Sequence, residues 1–163
     1  MEFSHLDKDG QIQMVNVSTK KETVRVARAE GYVYFNQETF RLLQEKALPK
    51  GDVLTTAKIA GILAAKQTSQ LIPLCHPLRL SFVDITFELQ PEKNALRVQS
   101  QVETTEKTGV EMEALVGVNV AMLTVYDMTK AVQKDVLLSD IRLLYKSGGK
   151  SGTFQVDKSI KIR

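Results

Sequence analysis

Residues 80–104, LSFVDITFELQPEKNALRVQSQVET, decide the fold. Val83, Ile85, Phe87 and Leu89 alternate with Asp84, Thr86, Glu88 and Gln90. After the turn sequence PEKN (91–94), Leu96, Val98, Ser100, Val102 and Thr104 alternate with Arg97, Gln99, Gln101 and Glu103. Strict alternation is the mark of a strand with one buried face. Two such runs joined by a short turn form an antiparallel hairpin.

The segments on either side supply the partners of that hairpin. Residues 23–35 (TVRVARAEGYVYF) end in a β-rich Tyr-Val-Tyr-Phe run and are expected to form a strand. Asn36 is placed to cap a helix over 39–46. Asp52 is placed to cap a second one over 54–69, where Ala57, Ala60, Gly61, Ala64 and Ala65 allow close packing. Residues 110–132 are the longest apolar segment and read as a largely buried helix. Residues 136–145 give a last strand. The order strand, helices, strand, strand, helix, strand is that of an α+β, ferredoxin-like (split βαβ) fold, an antiparallel sheet with helices packed on one face. Residues 1–20 read as an N-terminal arm, with a turn signal at Asp7–Gly10 and a short strand around Ile12, Met14 and residues 15–17. Residues 21–152 form a single domain and 153–163 a tail.

Composition narrows the function classes. The chain has 163 residues, 43% hydrophobic and 25% charged, which suits one globular domain. No apolar run reaches the roughly 18 residues of a membrane-spanning helix, and the N-terminus lacks the regions of a signal peptide. A single cysteine fits a reducing compartment, so the cytoplasm is expected. The net charge of +3 calls for neither nucleic acid nor membrane, and 6% aromatic residues without Trp disfavour a base-stacking surface. Arg142, Lys146, Lys150, Lys158, Lys161 and Arg163 cluster late in the chain, as a basic tail or as half of an anion site.

Three places could carry chemistry. Pro73 and Pro77 brace Leu74, Cys75 and His76 in an extended connector. That is either a structural link with a buried thiol and a solvated imidazole, or one wall of a site. A Cys75–His76 nucleophile pair is weak, because neighbours in an extended segment point apart. Two histidines and one cysteine also fall short of a zinc ligand set, so no metal is expected, and His5 reads as incidental. Lys146 to Gly152 (KSGGKSG) has the glycines and lysines of an anion loop. It is not a P-loop, whose first glycine would fall on Leu144. In the long helix, Asp127 and Lys130 share a face: an ordinary ion pair, or a partly buried acid–base pair. Glu111 and Glu113 stand at its start, where carboxylates suit the helix dipole. Fourteen residues of helix separate Glu113 from Asp127, about 21 Å. One small-molecule centre could use both only if a second subunit supplied one of them.

LIPLCHPL (71–78), KTGVEMEAL (107–115), TVYDMTKAVQKD (124–135) and LLYKSGGKSG (143–152) resemble the bacterial cyclic pyranopterin monophosphate synthase family, molybdenum cofactor biosynthesis protein C. KGDV (50–53), AKIAGI (57–62) and MVNVS (14–18) extend the resemblance over about residues 10–155. It implies a ferredoxin-like lyase that rearranges 3′,8-cyclo-7,8-dihydroguanosine 5′-triphosphate to cyclic pyranopterin monophosphate and releases diphosphate. It also implies a homohexamer, a trimer of dimers, with sites at subunit interfaces and no cofactor. On the matching positions Asp127 looks like the catalytic acid/base and Lys130 its partner. Leu74, Cys75, His76, Met112 and Glu113 look like substrate-binding segments, with Glu111 in support. Lys50, Arg25, Lys146 and Lys150 look like the basic groups of the site. The competing function, an RNA-binding ferredoxin-like domain, needs exposed aromatics on the central strands.

Overall fold

The computed structural model describes residues 5–6 and 9–157. Asp7 of the expected turn, and Lys158, Lys161 and Arg163 of the basic cluster, lie outside the described residues. One antiparallel sheet holds β1 (Thr23–Tyr34), β2 (Leu80–Gln90), β3 (Ala95–Glu106), β4 (Leu137–Ser147) and β5 (Phe154–Gln155). Its order is β2-β3-β1-β4-β5. The helices are α1 (Gln37–Gln44), α2 (Val53–Lys66), α3 (Thr68–Leu71) and α4 (Glu111–Thr129). Consecutive elements β1-α-β2-β3-α-β4, with β1 and β3 central, make the expected α+β, ferredoxin-like fold with helices on one face.

The hairpin alternates as its sequence does. Ile85, Leu96, Val98 and Val102 are fully buried and meet Ala27, Ala29 and Val33 of β1. Ala114, Val118, Ala121, Met122 and Val125 of α4 close the core from above. Asn94, left-handed at φ 48°, ends the 3-10 turn over Pro91–Lys93 and turns the chain into β3. The small residues of α2 let it press on α4. A Cβ added at Gly61 would stand 2.8 Å from the carbonyl oxygen of Gly117 and 3.1 Å from Ala121 Cβ. Asn36 and Asp52 cap α1 and α2 by accepting from the backbone N–H groups of Thr39 and Thr55.

The other face of the sheet is polar, and one carboxylate is sealed into it. Glu30 is 1% exposed. Arg97 of β3 donates to its Oε2 from Nε and Nη2, at 2.8 and 2.7 Å, and Arg142 of β4 donates from Nε to Oε1 at 2.8 Å.

Four local expectations change. The helix expected over 54–69 breaks at Gln67, giving α2 and α3. The Pro-braced segment is not extended throughout. Residues 72–75 form a turn in which the Cys75 N–H donates to the Ile72 carbonyl at 3.1 Å, a geometry in which Pro73 supplies the fixed φ of the second position. The arm forms no strand over residues 12–17, and a lone bridge between Leu6 and Ile12 is what pairs there. Within the tail, Phe154 and Gln155 pair with Lys146 and Tyr145, so this segment is an edge strand.

Candidate active site

The residues singled out in the sequence fall into two groups, one at each end of α4. At its N-terminal end, a cavity of about 560 Å³ lies between the Pro-braced loop and the first turn of the helix. Leu74, Cys75 and His76 form one wall, and Glu111, Met112 and Glu113 the other. The arm contributes His5, Val15, Val17 and Lys20, so His5 is part of a cavity lining rather than incidental. An adjoining space of about 300 Å³ shares Lys20, Glu111 and Lys146 with the first and adds Arg25, Lys107 and Lys150.

Backbone geometry assembles that basic space. Gly148 and Gly149 adopt φ 92° and 75°, and a side chain on Gly149 would run into the Arg25 guanidinium. The glycines therefore let the loop lie directly on Arg25. Arg25 itself is fixed by donating from Nε to the Glu106 carbonyl at 2.9 Å and from Nη2 to the Lys107 carbonyl at 3.1 Å. Lys146 Nζ stands 2.8 Å from Glu111 Oε1 and 3.1 Å from Ser151 Oγ. Five cations around one space, with Gly109 and Gly148 in its lining, form a receptacle for a multiply charged anion.

Two side chains give the larger cavity its acid–base character. His76 Nε2 lies 2.9 Å from the Val15 carbonyl. A carbonyl only accepts, so Nε2 carries the proton in this contact. Glu113 is 4% exposed, and this burial pushes its carboxyl up to about 7, with the charge of Glu111 adding to the effect. Burial, with the nearby Glu113 charge, also raises the Cys75 thiol above its ordinary value. The thiolate is therefore disfavoured, and the cysteine lines the cavity as a small apolar group.

At the other end of α4, Asp127 is held between two lysines. Lys130 Nζ is 2.6 Å from Oδ1, and Lys50 Nζ is 3.0 Å from Oδ2 and 2.8 Å from the Asp127 carbonyl oxygen. Hydrogen bonds from Lys130 and then Lys50 hold the Asp127 carboxyl below the usual carboxylate range, and Asp127 raises Lys130 in turn. Of the two readings of this pair, the chain shows the exposed one: Lys130 is the C-cap residue of the helix, and the Asp127 side chain is 54% exposed. Within one chain Lys50 stands apart from Arg25, Lys146 and Lys150. It reaches α4 from the turn before α2 and belongs with Asp127.

The helix between the groups is continuous from Glu111 to Thr129, so the separation of about 21 Å within one chain stands. Lys20, Lys107 and the arm carbonyl of Val15 were not singled out in the sequence. The hints were a lysine two positions before Gly109, in a loop that reads as a break in pattern, and the place of Lys107 at the head of the KTGVEMEAL motif.

Residues 14–149 match the model of the MoaC family. The chain is 58% identical over 153 residues to a cyclic pyranopterin monophosphate synthase of Oleidesulfovibrio alaskensis, covering 94% of this chain and 96% of that protein. It is 52% identical over 155 residues to a protein of the same name from Nitratidesulfovibrio vulgaris, covering 95% and 96%.

Proposed function

The chain belongs to the MoaC family, and on that premise we propose that it is a cyclic pyranopterin monophosphate synthase. It takes 3′,8-cyclo-7,8-dihydroguanosine 5′-triphosphate to cyclic pyranopterin monophosphate and diphosphate, as a phosphorus–oxygen lyase of molybdenum cofactor biosynthesis. The observation that carries this reading is the joined pair of cavities at the start of α4. A five-cation space suited to a triphosphate opens beside a space holding a buried carboxyl that titrates at about 7.

Each residue has a role in that reading. Arg25, Lys146 and Lys150 take the triphosphate and stabilise charge developing on the leaving diphosphate. Glu113 and His76 hydrogen-bond the guanine-derived edge or the sugar, with Glu111 in support, while Leu74, Cys75 and Met112 enclose it. Asp127 is the general acid/base, with Lys130 its partner and Lys50 holding the opposite oxygen. Because Asp127 stands at the far end of α4, the site is completed by a second subunit, within a homohexamer built as a trimer of dimers. Residues 21–152 are the catalytic domain. No helix among the described residues is long and apolar enough to cross a membrane. A single cysteine suits a reducing compartment, and we place the reaction in the cytoplasm.

Incubation of the purified protein with the cyclised GTP intermediate tests the reading. Diphosphate and a pterin fluorescent after oxidation are expected, and the absence of both overturns it. Mixing Asp127→Asn with Glu113→Gln chains tests the shared site. Half of randomly formed pairs are mixed, and each mixed pair holds one intact site of two, so recovery of about a quarter of wild-type activity is expected. No recovery returns the site to a single chain. An RNA-binding role has no such support. The central strands present Arg28, Arg97, Gln99 and Gln101 to the open face, Tyr32 is buried, and Phe82 lies on the edge strand β2.

A further inference from the structure

α4 ends at Thr129, and the chain turns through residues 130–136 before β4 begins at Leu137. The turn carries Lys130, whose ammonium stands 2.6 Å from Asp127 Oδ1. Within residues 130–135 Gln133 alone is buried and the rest is exposed, so apolar packing does little to hold this segment. Hydrogen bonds hold it instead. The N–H groups of Val132 and Gln133 both donate to the Thr129 carbonyl, at 2.9 and 3.1 Å. On one flank the Asn36 N–H donates to Gln133 Oε1 at 2.9 Å and ties the turn to the start of α1. On the other flank the Tyr126 hydroxyl donates to the Lys134 carbonyl at 3.1 Å, across eight positions of chain. That bond closes residues 130–134 back onto the last turn of α4.

We propose that Tyr126 is a positioning residue for the Asp127–Lys130 pair: by bonding the Lys134 carbonyl, its hydroxyl fixes the turn that carries Lys130 and so keeps the ammonium on the Asp127 carboxylate. The proposal rests on the reading that this pair moves protons in the reaction. Its geometry suits the task. Tyr126 and Lys130 are four apart and share a face of the helix end. The Tyr126 ring packs against the hydrophobic core, so the hydroxyl is presented from a fixed ring. Lys130 needs such help. Its side chain is 50% exposed and that of Asp127 54%. An exposed pair of flexible side chains gains little by itself, because the cost of ordering them offsets the attraction. A backbone already fixed beneath Lys130 removes part of that cost. Asp127 raises the Lys130 ammonium above its ordinary value, and the nearby Tyr126 phenol adds to the rise. Asp127 and Lys130 account for two polar side chains of the motif TVYDMTKAVQKD (124–135), and the tyrosine between Val125 and Asp127 gains a role from the turn that follows it.

Tyr126→Phe keeps the ring and removes the hydroxyl. Two readouts follow it: turnover of the cyclised GTP intermediate, and the rate at which acetic anhydride labels each lysine of the substrate-free protein, read by mass spectrometry. Loss of one hydrogen bond is expected to lower kcat about two- to tenfold with KM unchanged. Lys130 is expected to be labelled faster by about the same factor. Lys58, which pairs with Asp84 at 2.6 Å, keeps its wild-type labelling rate. Thr124→Val removes a hydroxyl that bonds the Val120 carbonyl within α4, and leaves both readouts as in the wild type. Wild-type kcat or wild-type Lys130 labelling in Tyr126→Phe overturns the positioning role. Faster labelling of Lys58 as well, or the same changes in Thr124→Val, also overturns it, since either shows a general loosening. If Tyr126→Phe speeds labelling at Lys130 alone but the wild-type protein does not turn over the cyclised GTP intermediate, the hold of Tyr126 on Lys130 stands and the assigned reaction falls.

Discussion

The two ends of α4 carry the same chemical types, carboxylates and lysines, and hold them in opposite states. Glu113 is enclosed by the Pro-braced loop and the arm, and its carboxyl is pushed up to about 7. Asp127 is open to solvent between Lys130 and Lys50, and its carboxyl is held below the ordinary range. Burial penalises charge at one end, and paired cations stabilise it at the other. One helix thus holds, 14 residues apart, a carboxyl that titrates near neutral pH and one that stays ionised there.

The largest expected effect lies at the exposed end. Asp127→Asn, or Lys130→Ala, should lower kcat by about 10²–10⁴ while calorimetry finds substrate binding nearly unchanged. Wild-type-like product formation in either variant would remove the acid–base role from this end. At the enclosed end the expected loss is in binding. Lys146→Ala or Arg25→Ala should raise KM by about ten- to a hundredfold, reading each lost charge-assisted contact as about 1.5–3 kcal/mol. Lower kcat at unchanged KM would mean that the basic space does not hold the triphosphate in the ground state.

Glu113 makes a smaller prediction, with a sign that can be checked. Its folded pKa of about 7 lies above the ordinary 4.5, so the stability it lends is present below pH 4.5 and is lost as pH rises through 7. Glu113→Gln should therefore leave the melting temperature nearly unchanged at pH 4.5. At pH 8 it should raise stability by up to about 3 kcal/mol, taking 1.36 kcal/mol per pKa unit. A variant equally stable relative to wild type at both pH values would show that the carboxyl is not perturbed. The same substitution should remove an inflection near pH 7 from the activity profile. Gly61→Ala should cost about 1–3 kcal/mol, because its Cβ meets backbone of Gly117 at the middle of α4. It should weaken both ends alike, and a loss confined to one end would show that the ends move independently.

Side chains that repeat along a segment are legible in the sequence, and contacts made where the chain folds back are not. Alternation in β2 and β3 and the caps Asn36 and Asp52 depend on residues near in sequence, and these elements form as expected. The types of the site residues could also be read. Their grouping could not, because it depends on which loop meets which helix end. Lys50 reads as one of four basic residues of the site, and only the turn before α2 shows that within the chain it meets Asp127. The apolar run of α4 leaves both an exposed and a partly buried Lys130 open, because hydropathy does not say which side of a helix its own sheet covers. The arm showed only weak strand signals, and its contact with His76 spans 61 positions, beyond any local pattern.

Glu30 works on the sheet as a check on its alignment. Glu30 and its two arginines tie β1 to β3 and β4 together, with Tyr32 opposite Arg97 and Glu30 opposite Arg142. A slip of one residue in either pairing turns that arginine toward the helices and leaves the sealed carboxylate with one of its two cations lost. Misaligned sheets are thus penalised at a single position. Arg25 and Lys146 ride on β1 and β4, two of these three strands, so the alignment that satisfies Glu30 is also the one that brings the basic cluster together.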